Sequence, residues 1–574
     1  MIKKLLSFTK GYKKATILAP ITMIGEVLAE VMIPFLIQYM SKGMEEGSVE
    51  TVVTVGAIMI ALAFFALFCG IMSARYACYA STGFAKNLRR ALFSKVQDLS
   101  FKNTDKFTTA SLVTRLTTDV NNTQMAFMMC IRMMVRAPLM LICATTLAFI
   151  QNAELAVIFV VAIPILAVCL GFIMSKAHPK FKIMLKKFDY LNRTVQENLI
   201  GARVVKSFVR EDFEEDKFKE ASEAVRQTQV KAERIIICQM PIVQMVMYAT
   251  TVAVILLGGN VVLSGNLAIA ELSSFLSYGT QILMSLTFLS MAVMMFTIAG
   301  ASIGRIGEVF NEVPDIRDDE ADANLVPKDG EIVFKNVNFN YAGKKEKFVL
   351  KNFNLTIPSG STVGVIGGTG SAKTTFVQLI PRLYDATEGE VLVGGRNVKD
   401  YKLKNLRENV AMVLQKNVLF SGTIRDNLKW GNKDATDEQI IEAAKSAAAH
   451  DFIMSFPDGY DSWIEQGGVN VSGGQKQRLC IARALLSNPK VLILDDSTSA
   501  VDTATDAMIR KGFKEHISDS TVIIIAQRIN SVKDADFIVV LDEGEIKGVG
   551  THEELMNTND IYREVYDSQQ RGDE

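Results

Sequence analysis

The first 303 residues contain six apolar stretches, at about 15–40, 52–79, 127–150, 155–177, 235–263 and 272–303, each near the roughly 20 residues that a helix needs to cross a bilayer. Such a chain cannot close around one water-soluble core, because each stretch must satisfy its own backbone within lipid. Lys3, Lys4, Lys10, Lys13 and Lys14 precede a first stretch longer than the apolar part of a cleaved signal, and no small-residue cleavage site follows, so this stretch is expected to stay as a span. Lys and Arg are sparse in the loops at 41–51, 151–154 and 264–271 and abundant in those at 80–126 and 178–234. The positive-inside tendency therefore puts the two long loops and both termini in the cytoplasm.

Those long loops carry apolar residues at helical spacing, for example Leu199, Val204, Phe208 and Phe213, with very little Pro or Gly. They read as helices that continue the spans, with short cross-pieces near Ser100–Phe107 and Gly201–Phe208 able to touch a cytoplasmic domain. Within the spans, Glu26 and Glu30 share one helical face, and Arg132 and Arg136 share another. Two readings stay open for this quartet: a structural acid–base pairing, or the lining of a wet cavity. Of 26 Met, 22 precede residue 305, with clusters at 125–134 and 291–295, which suits an adaptable binding surface and lipid-facing filler equally.

Total charge balances at 62 basic and 62 acidic residues, which argues against nucleic-acid binding by bulk charge. Seven cysteines without paired spacing argue against a disulfide framework or a zinc site. Apolar periodicity stops near 304–310, so residues 1–310 are expected to form the membrane domain and 311–330, with Pro314 and Pro327, a linker. Residues 331–574 alternate strand-like runs (Glu331–Phe339, Phe353–Ile357, Ser361–Ile366, Val491–Leu494) with helical stretches such as Asp437–Ala449 and Gly474–Leu486. That alternation predicts an α/β domain with a largely parallel sheet.

The run Thr362–Ile366 leads into Gly367, Gly368, Thr369, Gly370, Ser371, Ala372, Lys373, Thr374 and Thr375. A glycine-rich turn between strand and helix aims backbone N–H groups at a triphosphate, Lys373 adds a mobile charge, and the Thr374 hydroxyl suits Mg²⁺. A second apolar strand ends in Asp495, a carboxylate placed to hold that ion beside the phosphates.

With Val471-Ser472-Gly473-Gly474-Gln475 just before Asp495, the half resembles an ATP-binding cassette protein. In that resemblance Gln415 matches the Q-loop glutamine, a further Mg²⁺ ligand, Ser499-Ala500-Val501-Asp502 the D-loop, and Tyr341 the aromatic residue that stacks on adenine. Six spans with two long excursions resemble the exporter branch. The family pattern then implies a half-transporter: an exporter-type six-span helical domain fused to a P-loop nucleotide-binding domain. It would use ATP and Mg²⁺ and work as a dimer, each ATP lying between one chain's phosphate loop and the other's signature serine.

Three positions depart from the family pattern. Asp496 stands where Glu is usual as general base, Gln527 where His is usual, and Ala372 where the phosphate loop carries Gly. Aspartate is one methylene shorter, which matters for base catalysis at hydrogen-bond reach. Glutamine cannot offer an imidazolium. At 372 the backbone N–H survives, so phosphate binding is expected to persist, with tighter packing. With the signature intact and Gln466 where many homodimeric exporters carry Glu, the set resembles the degenerate member of heterodimeric bacterial multidrug-type exporters. This implies an inner-membrane protein moving hydrophobic or amphipathic compounds, with its own site slow. A drifted homodimer, an ATP-gated regulatory subunit and an importer are the rival expectations.

Overall fold

The computed structural model describes residues 2–264, 267–341, 347–497 and 502–572, and the chain divides into two compact units: Met1–Asp98 with Phe107–Glu312, and Leu99–Lys106 with Val313–Glu574. In the first unit lie α1 (Lys13–Glu45) and α2 (Val49–Gln97). Ser48 caps α2 by accepting from the Thr51 N–H at 3.3 Å. Ala15 and Ala19 of α1 meet Ala77 and Ala80 of α2, and these small residues let the backbones approach closely enough for Ser73 Oγ to donate to the Ala19 carbonyl at 3.1 Å. At 1.5 Å per residue, the 49 residues of α2 reach about 70 Å, far beyond a hydrocarbon core of roughly 30 Å.

The chain then makes the short helix α3 (Phe101–Phe107), most of which belongs to the second unit, before α4 (Val120–Gln151), α5 (Ala153–Ile200), α6 (Ala202–Ser207), α7 (Glu211–Ile236), α8 (Gln239–Leu263) and α9 (Ile269–Asn311). All six apolar stretches fall in helices long and apolar enough to cross a membrane. The second excursion runs out along α5, crosses in α6 within the expected Gly201–Phe208 stretch and returns along α7, since the chain turns at Gly201 and again at Phe208–Arg210. Here Ile200 (79% exposed), Phe208 (73%) and Val209 (81%) stand in the open.

Just before α4, Arg115–Asp119 forms a π-turn. Asp119 is fully buried, and its carboxylate receives two donors from Arg305 of α9, one of them Nε at 2.8 Å. Arg115 bonds the Arg305 carbonyl and pairs with Glu308 at 2.8 Å, and Asn122 Nδ2 donates to Ser302 Oγ at 3.1 Å. These contacts clamp the start of α4 to the end of α9.

The second unit contains β1 (Ile332–Phe339), β2 (Leu350–Ile357), β3 (Thr362–Gly367), α10 (Lys373–Leu379), β4 (Glu388–Val393), β5 (Arg396–Asn397), β6 (Val410–Val413), α11 (Gly473–Leu485), β7 (Val491–Asp495), α12 (Thr503–His516), β8 (Thr521–Ile525), β9 (Phe537–Asp542) and β10 (Glu545–Gly550). The main sheet runs β10-β9-β3-β8-β7-β6, parallel except for β10. A four-stranded antiparallel sheet, β2-β1-β4-β5, accompanies it and is not foreseen by a largely parallel reading. Val491–Leu494 and Thr521–Ile525 are almost wholly inaccessible, which is why they read as unbroken apolar runs. Register puts Ile525 opposite both Val365 and Asp495, so the ends of β3, β8 and β7 meet at one place.

Also within this unit, α3 is held by side chains. Tyr384 donates to Asp105 at 3.1 Å, Asn103 Nδ2 donates to the Val313 carbonyl at 3.3 Å, and Ser100 donates to Asp315.

Candidate functional site

Where β3 ends and α10 begins, residues 368–372 make the turn. Gly370 sits at φ +84°, and Ala372 at φ +73°, at the threshold of the helix. Beyond the tighter packing, the Ala372 side chain in the left-handed region costs roughly 1–2 kcal/mol, and glycine would carry no such penalty. Gly368 and Thr369 are exposed while Ser371 is buried. Lys373 Nζ folds back onto the Gly367 and Gly368 carbonyls at 2.8 Å each, and burial pushes its ammonium below the usual range.

Thr374 Oγ1 donates to Asp495 Oδ1 at 3.0 Å across the gap between α10 and β7. The other oxygen, Oδ2, is buried with no hydrogen-bond partner among the described residues. Burial drives the Asp495 carboxyl upward, with the Thr374 hydrogen bond working against it. An orphaned carboxylate oxygen beside the Thr374 hydroxyl is a hard oxygen donor pair, and so fits Mg²⁺.

Asp496 has φ +50°, and its N–H donates to the Ile525 carbonyl at 3.0 Å. Its Oδ2 accepts from Gln527 Nε2 at 2.7 Å and from Gln415 Nε2 at 3.4 Å. Two amides thus converge on one carboxylate oxygen. Sequence spacing gave each of the three residues singly and could not show that they meet.

Tyr341 lies at the end of β1 with its hydroxyl 3.0 Å from Thr375 Oγ1 and 3.4 Å from Gln378 Oε1. Its ring is edge-on to Phe339 and Tyr384, at 4.9 and 5.1 Å, and stays 41% exposed. Tyr384 belongs to this aromatic cluster although no motif pointed to it.

Ser472 caps α11. Its Oγ accepts from the Gln475 N–H at 3.3 Å, and Gln475 Oε1 accepts from the Ser472 N–H at 2.9 Å. This reciprocal box leaves the Ser472 hydroxyl proton available, with Ser472 and Gly473 exposed and Gly474 half-buried. Among the described residues Ser472 has no hydrogen bond to the phosphate loop. Gln466 is exposed in the one-turn segment Gln466–Gly468. Asp502 caps α12, accepting from Thr505 N at 2.9 Å and Thr505 Oγ1 at 2.7 Å, which holds its carboxyl below the usual range. Ser499, Ala500 and Val501 lie outside the described residues.

In the membrane unit, one guanidinium serves both acids. Arg136 bonds Glu26 and also reaches Glu30 Oε2 at 2.7 Å. A Cβ at Gly70 of α2 would stand 3.2 Å from the Glu26 carboxylate, so glycine there makes room for it. Of the two readings, acid–base pairing describes Arg136, whereas Arg132 has no ion pair or hydrogen bond among the described residues.

The family description "ABC transporter transmembrane region" matches residues 16–286, and "ABC transporter" matches residues 350–499. The chain is 34% identical over 569 residues to the uncharacterized ABC transporter ATP-binding protein YfiB of Bacillus subtilis, covering 99% of this chain and 98% of that one. The putative multidrug export ATP-binding/permease protein YgaD of the same organism is 30% identical over 582 residues, with 99% of each covered. A solved bacterial Atm1-family ABC exporter with ATP bound superposes with a TM-score of 0.81 over 98% of both chains at 24% identity, a likeness of fold.

Proposed function

Because the chain belongs to the ABC transporters and is an ATP-hydrolysing transporter of the exporter type, we propose that it is the degenerate half of a heterodimeric exporter. Residues 1–310 form the membrane domain, 311–330 the linker and 331–574 the nucleotide-binding domain. Both termini lie in the cytoplasm of a bacterium, and the cargo is hydrophobic or amphipathic, in keeping with the multidrug designation of the similar YgaD. The observation that carries the reading is the short bond from Gln527 to Asp496: an amide, not an imidazole, addresses a carboxylate that is itself a methylene short.

In this reading the N–H groups of 367–375 and the Lys373 ammonium bind the phosphates of ATP, and the exposed Tyr341 ring takes the adenine. Thr374, Asp495 and Gln415 would hold Mg²⁺, which supplies neutralisation of phosphate charge. Gln415 and Gln527 both donate to one Asp496 oxygen and so lower the basicity of a carboxylate already one methylene short, which makes hydrolysis here slow. Ser472 donates to the γ-phosphate held by the partner's loop, completing the site that turns over. Asp502 fixes the start of α12 beside that interface.

The test is ATPase activity of the purified chain against that of the chain co-expressed with a half-transporter carrying Glu and His at the positions of Asp496 and Gln527. Low activity alone and high activity in the pair is expected. Brisk turnover by the single chain at the pair's rate would favour the drifted homodimer. An active pair that moves no compound would favour a regulatory subunit.

A further inference from the structure

Away from the ends of the spans, the apolar stretches carry four charged side chains: Glu26 and Glu30 on α1, and Arg132 and Arg136 on α4. Arg136 takes both acids. Arg132 lies one turn along the same face and is left over. Its Nε is buried without a partner, and its terminal nitrogens, equally without partners among the described residues, reach the surface of the bundle. The remaining acidic oxygen, Glu26 Oε2, is also buried and unpartnered, but lies beyond ion-pair distance of Arg132 and is walled by Gly70.

An unpaired guanidinium facing lipid at this depth is costly, and its retention calls for a protein- or water-lined surround and a counter-charge. The protein supplies none within the described chain. On the same face, one turn away, stand Met128 and Met129, whose thioethers adapt to apolar shapes of many kinds. A fixed fork of N–H donors next to a pliant apolar wall is suited to a compound with an anionic head and an apolar body. Arg136 adds to this by occupying Glu26 and Glu30, so that neither acid competes for Arg132.

We infer that Arg132 recognises the anionic head group, a carboxylate or sulfonate, of an amphipathic compound carried by this transporter. The inference rests on the export reading, since it names the class of cargo at that site.

The experiment uses the assembled pair in lipid nanodiscs and three probes with one apolar body: pyrenebutanoate, pyrenebutanol and a pyrenebutyl-trimethylammonium salt. Binding is read by pyrene fluorescence and transport in inverted vesicles. The wild-type pair should bind the anion roughly 10-fold or more tightly than the other two, the scale of a charge-assisted hydrogen bond. Arg132→Gln should erase that preference while leaving affinity for the alcohol unchanged, and Arg132→Lys should retain part of it. Equal binding of the three probes by wild type, or an anion preference untouched in Arg132→Gln, would overturn the assignment. So would failure of Arg132→Gln to assemble, which would show that Arg132 answers an acid of the partner subunit. Failure of the export reading is separate: anion-selective binding would persist, with ATP turnover, but no probe would cross the membrane.

Discussion

Gln527 donates through Nε2 to Asp496 Oδ2 at 2.7 Å, and the Gln415 amide approaches the same oxygen at 3.4 Å. The carboxylate best placed by sequence to activate water is therefore already engaged by two donors. A general base gains from a free lone pair within 2.6–3.2 Å of its proton.

Asp496→Asn should accordingly change ATP turnover of the assembled pair by only a few-fold, where loss of a well-placed base costs roughly 10²–10⁴. Ser472→Ala should be the more damaging, at several kcal/mol of lost phosphoryl stabilisation. Steady-state ATPase rates of the two variants decide the matter. If Asp496→Asn abolishes turnover and Ser472→Ala is mild, this chain is not the degenerate half.

Ala372→Gly relieves the left-handed backbone at φ +73°. The gain from lost strain exceeds the entropy that glycine adds to the unfolded chain, leaving about 0.5–1 kcal/mol of stabilisation. Thermal unfolding of the nucleotide-free chain should shift upward by roughly 1–4 °C. A lower midpoint would mean that the alanine methyl contributes more through packing than its backbone loses.

Asp495 is buried with one oxygen unpartnered, and its folded pKa is raised. Its sign follows from linkage: the native state is favoured while the carboxyl is protonated, and that advantage fades as pH rises through the raised folded value. At pH 7 without nucleotide, Asp495→Asn should therefore unfold at a higher temperature than wild type. The difference should vanish below the ordinary carboxylate range, about pH 3.9. The same variant should lose the Mg²⁺-dependent part of ATP binding, measured by titration with and without EDTA.

Arg136→Gln leaves Glu26 and Glu30 without a cation in the membrane interior. Breaking such a pairing costs roughly 3–5 kcal/mol, so monodisperse yield in mild detergent should collapse. Neutralising all three together, as Glu26→Gln, Glu30→Gln and Arg136→Gln, should recover much of it. No recovery would show that the hydrogen bonds, and not the charges, hold α1 to α4.

Much of this arrangement is legible in the sequence because it is local. A span is a composition, a phosphate loop is a spacing, and the apolar runs of β7 and β8 follow from burial on both faces. What escapes is set by the relative placement of distant elements. The i,i+4 spacing puts Arg132 and Arg136 on one face, but the offset between α1 and α4 decides which of them reaches Glu26. The glycine usual at position 372 is the local mark of a left-handed φ, and the alanine that stands there hides it. The second sheet joins β1 to both β2 and β4 across the phosphate loop, a pairing that no local pattern shows.

The wide turn at Arg115–Asp119 has a consequence for how the spans can move. A π-turn stores one residue more than an α-turn, and releasing it would rotate one side of the helix by roughly 100° relative to the other, with about 1.5 Å of travel. The buried Asp119 carboxylate that closes this turn is held by Arg305, so any rotation at the turn has first to break that ion pair.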